Sequence, residues 1–302
     1  MSTPVPEARV EDSTETLGGA LRRLAAALKG AGLEAPADEA RRLVSLALGL
    51  APVDVLLRSE RPLSLDERQR LDRDLVRRLA REPLSRIAGV REFYGRRFAI
   101  TPATLDPRPD SETLIEAALG IVRHEGWQRA PLRILDVGTG SGCLLLTLLA
   151  ELPHATGVGS DISPAALAVA RGNAARLGLQ HRCVWRHADA LEGIDGTFHI
   201  FVANPPYVRS GDIAGLEREV RDFDPHIALD GGADGLAVYR RLMPRIGKVV
   251  PDGWVVLETG HDQAVAVASL LGETFGAALA APPQVHRDLG GRPRCVAVRT
   301  RS

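Results

Sequence analysis

Residues 133–142 read R-I-L-D-V-G-T-G-S-G, and the next ten, C-L-L-L-T-L-L-A-E-L, are almost wholly apolar. An apolar run at 133–137 fits a short buried strand. The glycine-rich turn at 138–142 follows at once, and 144–152 has the length and composition of a helix. Glycines at such a turn let the backbone approach a ligand closely, and the helix N-terminus beyond offers unpaired N–H groups. The spacing, D-x-G-x-G-x-G, is not the dinucleotide fingerprint G-x-G-x-x-G.

Downstream the alternation continues. Strands are predicted at 156–160, 181–186, 199–203 and 254–258, with helices at 164–177, 236–249 and 263–271 and a closing strand pair at 284–287 and 294–298. Ser163 and Pro164 make an N-cap and first-turn pair for the 164–177 helix. Repeated βα units imply an α/β fold with a largely parallel sheet covered on both faces, and its ligand at the carboxyl ends of the strands.

Upstream the pattern changes. Pro107 and Pro109 stop the chain before an apolar-periodic helix at 114–122. Short β-prone pieces around Gly95 predict a hairpin connector at 89–106. Residues 17–88 read as a small helical bundle. Leu17, Leu21, Leu24 and Leu28 share one face, and Gly30 and Gly32 end that helix. Asp38 is expected to cap a second helix with Leu43, Leu46 and Leu50 in a stripe. S-L-D-E at 64–67 is a capping box opening a third, whose Leu71, Leu75 and Leu79 face inward. Arg77, Arg78 and Arg81 are expected on its solvated face. Residues 1–16 look like a loose acidic tail, so the domains read 1–16, 17–88, 89–106 and 107–302.

The 302 residues carry 38 basic and 38 acidic side chains, with 45 % apolar and 4 % aromatic residues. Balanced charge argues against a protein that coats nucleic acid, which needs a basic excess to release counterions. Three cysteines without paired spacing and scattered histidines suggest neither a disulfide framework nor a metal site. The N-terminus lacks a signal-peptide pattern and no apolar run approaches membrane-spanning length, so a cytoplasmic protein without membrane contact is expected.

Chemistry concentrates at strand ends. Gly138, Thr139, Gly140, Ser141 and Gly142 form the candidate cradle. Asp161, at the end of the second strand of this series, can accept both ribose hydroxyls of a nucleoside, or cap the following helix. Asp189, in H-A-D-A, is similarly placed for an adenine amino group. Asn204-Pro205-Pro206-Tyr207 follows an apolar strand. The two prolines cannot donate, and they hold Asn204 extended. The stiff turn suits a planar N–H₂ group: the Asn204 side-chain oxygen and the Pro205 carbonyl each accept one hydrogen, while Tyr207 packs on its face.

D-x-G-x-G-x-G followed by N-P-P-Y resembles the S-adenosylmethionine-dependent amino-methyltransferases, which act on adenine amines or glutamine amides. P-L-S-R-I-A-G-V-R-E-F-Y-G (83–95), T-P-A-T-L-D-P-R-P-D-S-E (101–112), D-F-D-P-H-I-A-L-D-G-G-A-D-G-L-A-V-Y-R-R-L (222–242) and L-E-T-G-H-D-Q (257–263) are similar to the bacterial release factor glutamine methyltransferase (PrmC/HemK) family, over roughly residues 20–300. The resemblance implies a class I methyltransferase fold, a Rossmann-like seven-stranded sheet with the last strand antiparallel, beside a helical domain for substrate recognition. It implies that residues 138–142, Asp161, Asp189 and Asn204 hold S-adenosylmethionine without a metal. It also implies that residues 204–207 receive the glutamine of the Gly-Gly-Gln loop of peptide chain release factors; the enzyme is expected to be a monomer. Asp106 and Ala190 depart from the family's pattern, which has an aliphatic residue at the first and in some members a Trp at the second. Four rivals stand beside this: a ribosomal-protein glutamine methyltransferase, a DNA adenine methyltransferase, a nicotinamide dehydrogenase and a non-catalytic release-factor-binding domain. The dehydrogenase would leave residues 204–207 idle, and the DNA enzyme calls for a basic face.

Overall fold

The computed structural model describes residues 15–301, which fall into two compact units dividing between Ala88 and Gly89. Most of the acidic tail therefore lies outside the described residues. Its last two residues belong to the helical unit: Thr16 accepts the Gly19 N–H as a cap, and Glu15 pairs with Arg23 at 2.8 Å.

The first unit holds α1 (Leu17–Gly30), α2 (Pro36–Leu48), α3 (Pro52–Leu57), α4 (Leu65–Leu79) and α5 (Leu84–Ala88). Leu17, Leu24, Leu28, Leu43, Val44 and Leu71 fill its core. Each such side chain, once buried, contributes roughly 1.5–3 kcal/mol. The capping box at Ser64 and Glu67 is formed reciprocally. Three expectations need correction. The second helix starts before Asp38, with Pro36 in its first turn and Ala35 as the cap residue, so Asp38 lies inside the helix and pairs with Arg41. Its inward stripe is Ala40, Leu43, Val44 and Ala47, while Leu46 is 42 % exposed. Finally, the arginines at the end of α4 do not form a solvated face. Arg78 is buried and donates to Glu39 at 2.7 Å, Arg77 binds Glu82, and Arg81 reaches the Ala31 carbonyl at 3.0 Å. Their forked heads close carbonyls and carboxylates that the short helices leave open. The short α3 and α5 escape periodicity altogether, being less than two turns long.

The second unit opens with the hairpin β1 (Val90–Phe93) and β2 (Arg96–Ala99). Tyr94 and Gly95 turn it with φ of 49° and 68°, the left-handed pair of a tight hairpin. There follow α6 (Glu112–His124), β3 (Arg133–Val137), α7 (Cys143–Glu151), β4 (Thr156–Asp161), α8 (Pro164–Arg176), β5 (Cys183–His187), β6 (Ile200–Ala203), α9 (Arg218–Arg221), α10 (Ala237–Val249), β7 (Trp254–Glu258), α11 (Ala264–Phe275), β8 (Gln284–Arg287) and β9 (Pro293–Arg299). The seven-stranded sheet has the order β5-β4-β3-β6-β7-β9-β8, with β9 antiparallel to both of its neighbours. Successive residues alternate between the sheet's faces. Ile134, Ile200, Val202 and Val256 join one cluster with α6 and α7, while Leu135, Phe201, Ala203 and Val255 join another with α10 and α11. That two-sided burial is why these strands read as unbroken apolar runs. No described helix is long and apolar enough to cross a membrane.

Candidate active site

Register sets the site. The chain leaves β3 for β4 on one side, and returns as β6 on the other, so the β3–β6 boundary is the topological switch point where such sheets bind ligands. Val137 pairs with Ser160 on β4 and Ala203 on β6, and Ala203 pairs with Leu257 on β7. The next residues, Asp161, Gly138, Asn204 and Glu258, therefore lie in one row along the carboxyl edge. Two motifs far apart in sequence meet because their strands are neighbours.

A cavity opens at this edge. Gly138, Thr139, Gly140, Ser141 and Asp161 line one side and Asn204, Pro205 and Pro206 another. The glycines at 138, 140 and 142 take φ of 72°, 56° and 80°, a left-handed conformation that lets the turn fold tightly against the cavity. Against the expectation of unpaired N–H groups, Gly138 and Thr139 donate to the Ser160 carbonyl at 2.9 Å, and Gly142, which does not line the cavity, donates to the Thr139 carbonyl at 2.8 Å. Thr139 donates its hydroxyl to Asp136 Oδ2 at 2.6 Å, fixing the turn from below. Asn173, fully buried on α8, donates to the Ser141 carbonyl at 2.8 Å and also pairs with the Ala99 main chain. It ties the turn to the hairpin.

Asp161 accepts the Gly140 N–H on Oδ2 at 2.8 Å and the Ser163 N–H on Oδ1 at 2.9 Å. Ser163, not Asp161, caps α8 by accepting the Ala166 N–H at 3.2 Å. Each Asp161 oxygen thus keeps one lone pair for the cavity. Burial pushes this carboxyl above its ordinary range, while the Ser163 and Gly140 N–H groups pull it back. Asp189 also lines the cavity, paired with Arg241 of α10. Ala190, with a φ of 50°, adds only a methyl group there. Ile162 and Leu242 supply apolar surface where an aromatic ring is absent.

Asn204 donates its Nδ2 to Ser111 Oγ at 3.2 Å, which leaves Oδ1 on the opposite edge of the amide. Tyr207 is placed differently from the lining residues. Its side chain packs against the α10 and α11 core, burial pushes its phenol up to about 12, and its carbonyl accepts from Gln263 Nε2 at 2.9 Å. It braces the turn from within.

Several contributors had no site role in the sequence reading, although some stand in the motifs quoted there. Residues 103–111 and 225–228 wall the cavity, joined where Arg108 pairs with Asp224. Asp106, which stands where the family pattern is aliphatic, is buried with Arg91 3.6 Å away and its N–H on Asp224 at 3.2 Å. Asp136 and Glu258 are fully buried carboxyls that burial pushes up to about 7. The signal for both was an acid in an apolar strand, Asp136 within β3 and Glu258 at the end of β7.

Among solved structures, the catalytic domain of hMettl16 bound to an RNA hairpin shares the fold, with TM-score 0.52 and 14 % identity over 67 % of this chain and 74 % of that one. Residues 125–218 match the methyltransferase small domain, and residues 19–89 match the PrmC N-terminal domain. The release factor glutamine methyltransferase of Rhodospirillum rubrum is 46 % identical over 98 % of this chain and 88 % of its own length. That of Bradyrhizobium diazoefficiens is 43 % identical over 96 % of this chain and 98 % of its own. Identity of this degree, spanning both units, shows that the chain belongs to the release factor glutamine methyltransferase family.

Proposed function

We propose that the chain moves a methyl group from S-adenosylmethionine to the side-chain amide nitrogen of the glutamine in the Gly-Gly-Gln loop of peptide chain release factors, in the cytoplasm. The observation that carries this is one cavity lined by the glycine turn, Asp161 and the Asn204-Pro205 pair. The cradle suits the nucleoside: the residue 138–142 turn faces its charged tail and Asp161 its ribose. Asp189 with Arg241 bounds the adenine end, between the apolar surfaces of Ile162 and Leu242.

When bound, S-adenosylmethionine supplies an electrophilic methyl on a sulfonium. The protein's task is to present a poor nucleophile, since the amide lone pair is delocalised into its carbonyl. Asn204 Oδ1 and the Pro205 carbonyl would accept the two amide hydrogens and orient the nitrogen for attack. Their partial negative charge would offset the positive charge that develops there, and the nitrogen's extra proton would pass to water after transfer, so catalysis is mainly positioning and electrostatics. Tyr207, neutral with its phenol pushed up to about 12, stiffens the turn without entering the proton chemistry.

The test is labelled S-adenosylmethionine with release factors, ribosomal proteins and duplex DNA together. Label is expected in the release factors. Label in a ribosomal protein or in DNA adenine contradicts the substrate. Tight NADH binding with no S-adenosylhomocysteine binding contradicts the reaction class.

A further inference from the structure

Asn204 presents an ambiguity that its own side chain does not resolve. A half-turn of the amide exchanges its acceptor for its donor, and the proposed chemistry needs the acceptor toward the substrate. Ser111 Oγ, which accepts from Nδ2 at 3.2 Å, can donate as well as accept, so it fits either orientation. Glu258 is the next group inward. It ends β7 one residue past Leu257, as Asn204 follows Ala203, and those two residues are register partners. Glu258 is 1 % exposed, and neither carboxylate oxygen has a partner within hydrogen-bond geometry. Its main chain is pinned by Tyr239, whose hydroxyl donates to the Glu258 carbonyl at 2.7 Å.

We propose that Glu258 is a positioning residue: as a carboxylate beside Asn204 and Ser111 it accepts only, turning Nδ2 inward and Oδ1 toward the substrate amide. The neutral acid can donate, and it stabilises the reversed amide as readily. The inference rests on Asn204 receiving the substrate amide.

The surroundings decide when that charge is present. Burial raises the Glu258 carboxyl most, Ser111, Arg294 and Asn204 lower it, and Asp110 raises it, leaving it at about 7. The other titratable neighbours stay neutral near that pH. Burial lifts Tyr207 and Cys143 to about 12, and Tyr239 and Cys295 well above their ordinary values. Arg294 is held charged between Asp110 at 2.7 Å and Asp288 at 3.2 Å.

The experiment measures kcat against pH at saturating substrates for wild type and Glu258→Gln, with S-adenosylhomocysteine affinity alongside. Wild-type kcat is expected to rise about tenfold from about pH 6 to about pH 8, following the ionised fraction of a group titrating near 7. Glu258→Gln, whose side chain can donate or accept, is expected to lose that rise and about tenfold in kcat at the upper end. Its S-adenosylhomocysteine affinity is expected to stay within about twofold of wild type. Glu258→Asp is expected to keep a pH-dependent kcat. A Glu258→Gln enzyme with wild-type kcat and an unchanged inflection overturns the proposal. So does flat wild-type kcat over this range, which decides the matter if the variant does not fold. Asn204→Ala run in parallel separates the layers: full activity there refutes the substrate role of Asn204 itself, whatever Glu258 does.

Discussion

At the residue scale the proposed chemistry rests on Asn204, and its neighbours explain how an ordinary amide could become specific. Asn204→Ala is expected to slow single-turnover methylation by about 10²-fold or more, the scale of removing one positioned hydrogen-bonding group, with S-adenosylhomocysteine affinity changed far less. Rapid-quench measurement of the labelled product checks this, and a wild-type rate would refute it. In the helical unit, Arg78→Ala is expected to cost about 2 kcal/mol, because Glu39 loses its partner in a half-buried setting. Urea unfolding measures it, and a change below about 0.5 kcal/mol would return Arg78 to the solvated face that helical spacing suggests. The cavity-lining positions of Asn204, Asp161, Gly138 and Gly140 were legible because each ends an apolar strand with a residue that strands avoid. Arg78 was not. Nothing in a helical pattern tells an arginine facing water from one folded back onto a carbonyl or a carboxylate.

At the element scale, the site is two strand-end turns held in register by a third segment. Residues 230–235, D-G-G-A-D-G, lie against the N-P-P-Y turn, with the Gly231 N–H donating to the Val208 carbonyl at 2.8 Å. A Cβ on Gly235, whose φ is 76°, would come within 2.4 Å of the Tyr207 carbonyl oxygen and 2.3 Å of the Gln263 amide. Gly235→Ala is therefore expected to cost about 1–3 kcal/mol of stability and to displace Tyr207 and the turn that it ends. Turnover should drop about tenfold or more, since small misplacements are costly at a site that works by positioning. Wild-type kcat with wild-type melting would contradict this packing. The sequence displayed these glycines, but only the fold shows what approaches them. Strand positions were legible because two-sided burial writes continuous apolar runs. Short helices such as α3, α5 and α9 (4 residues) carry too few turns to show a period.

At the scale of the whole molecule, two fully buried carboxyls make stability depend on pH. Burial raises Asp136 from 3.8 to about 7, and Glu258 from 4.5 to about 7. The folded state therefore holds these protons more tightly than the unfolded chain. Each contribution is complete below about pH 4 and is lost as pH rises to about 7. Wild type should melt progressively lower from about pH 5 to about pH 8. Asp136→Asn, which keeps an acceptor for the Thr139 hydroxyl, should recover on the order of 2 kcal/mol at the upper end. Calorimetry across that range checks it, and parallel pH profiles for the two proteins would contradict it. The zero net charge of the chain suits a protein substrate better than a nucleic acid, but composition could not choose among glutamines. That choice came from strand ends meeting in one cavity and from relatives matching across both units. The most direct measurement is mass spectrometry of the release factor's Gly-Gly-Gln peptide after one turnover. With wild type the glutamine side chain should carry a single methyl group, and with Asn204→Ala it should remain almost unmodified. An unmethylated glutamine with wild type, or equal methylation by both proteins, would contradict the site as drawn.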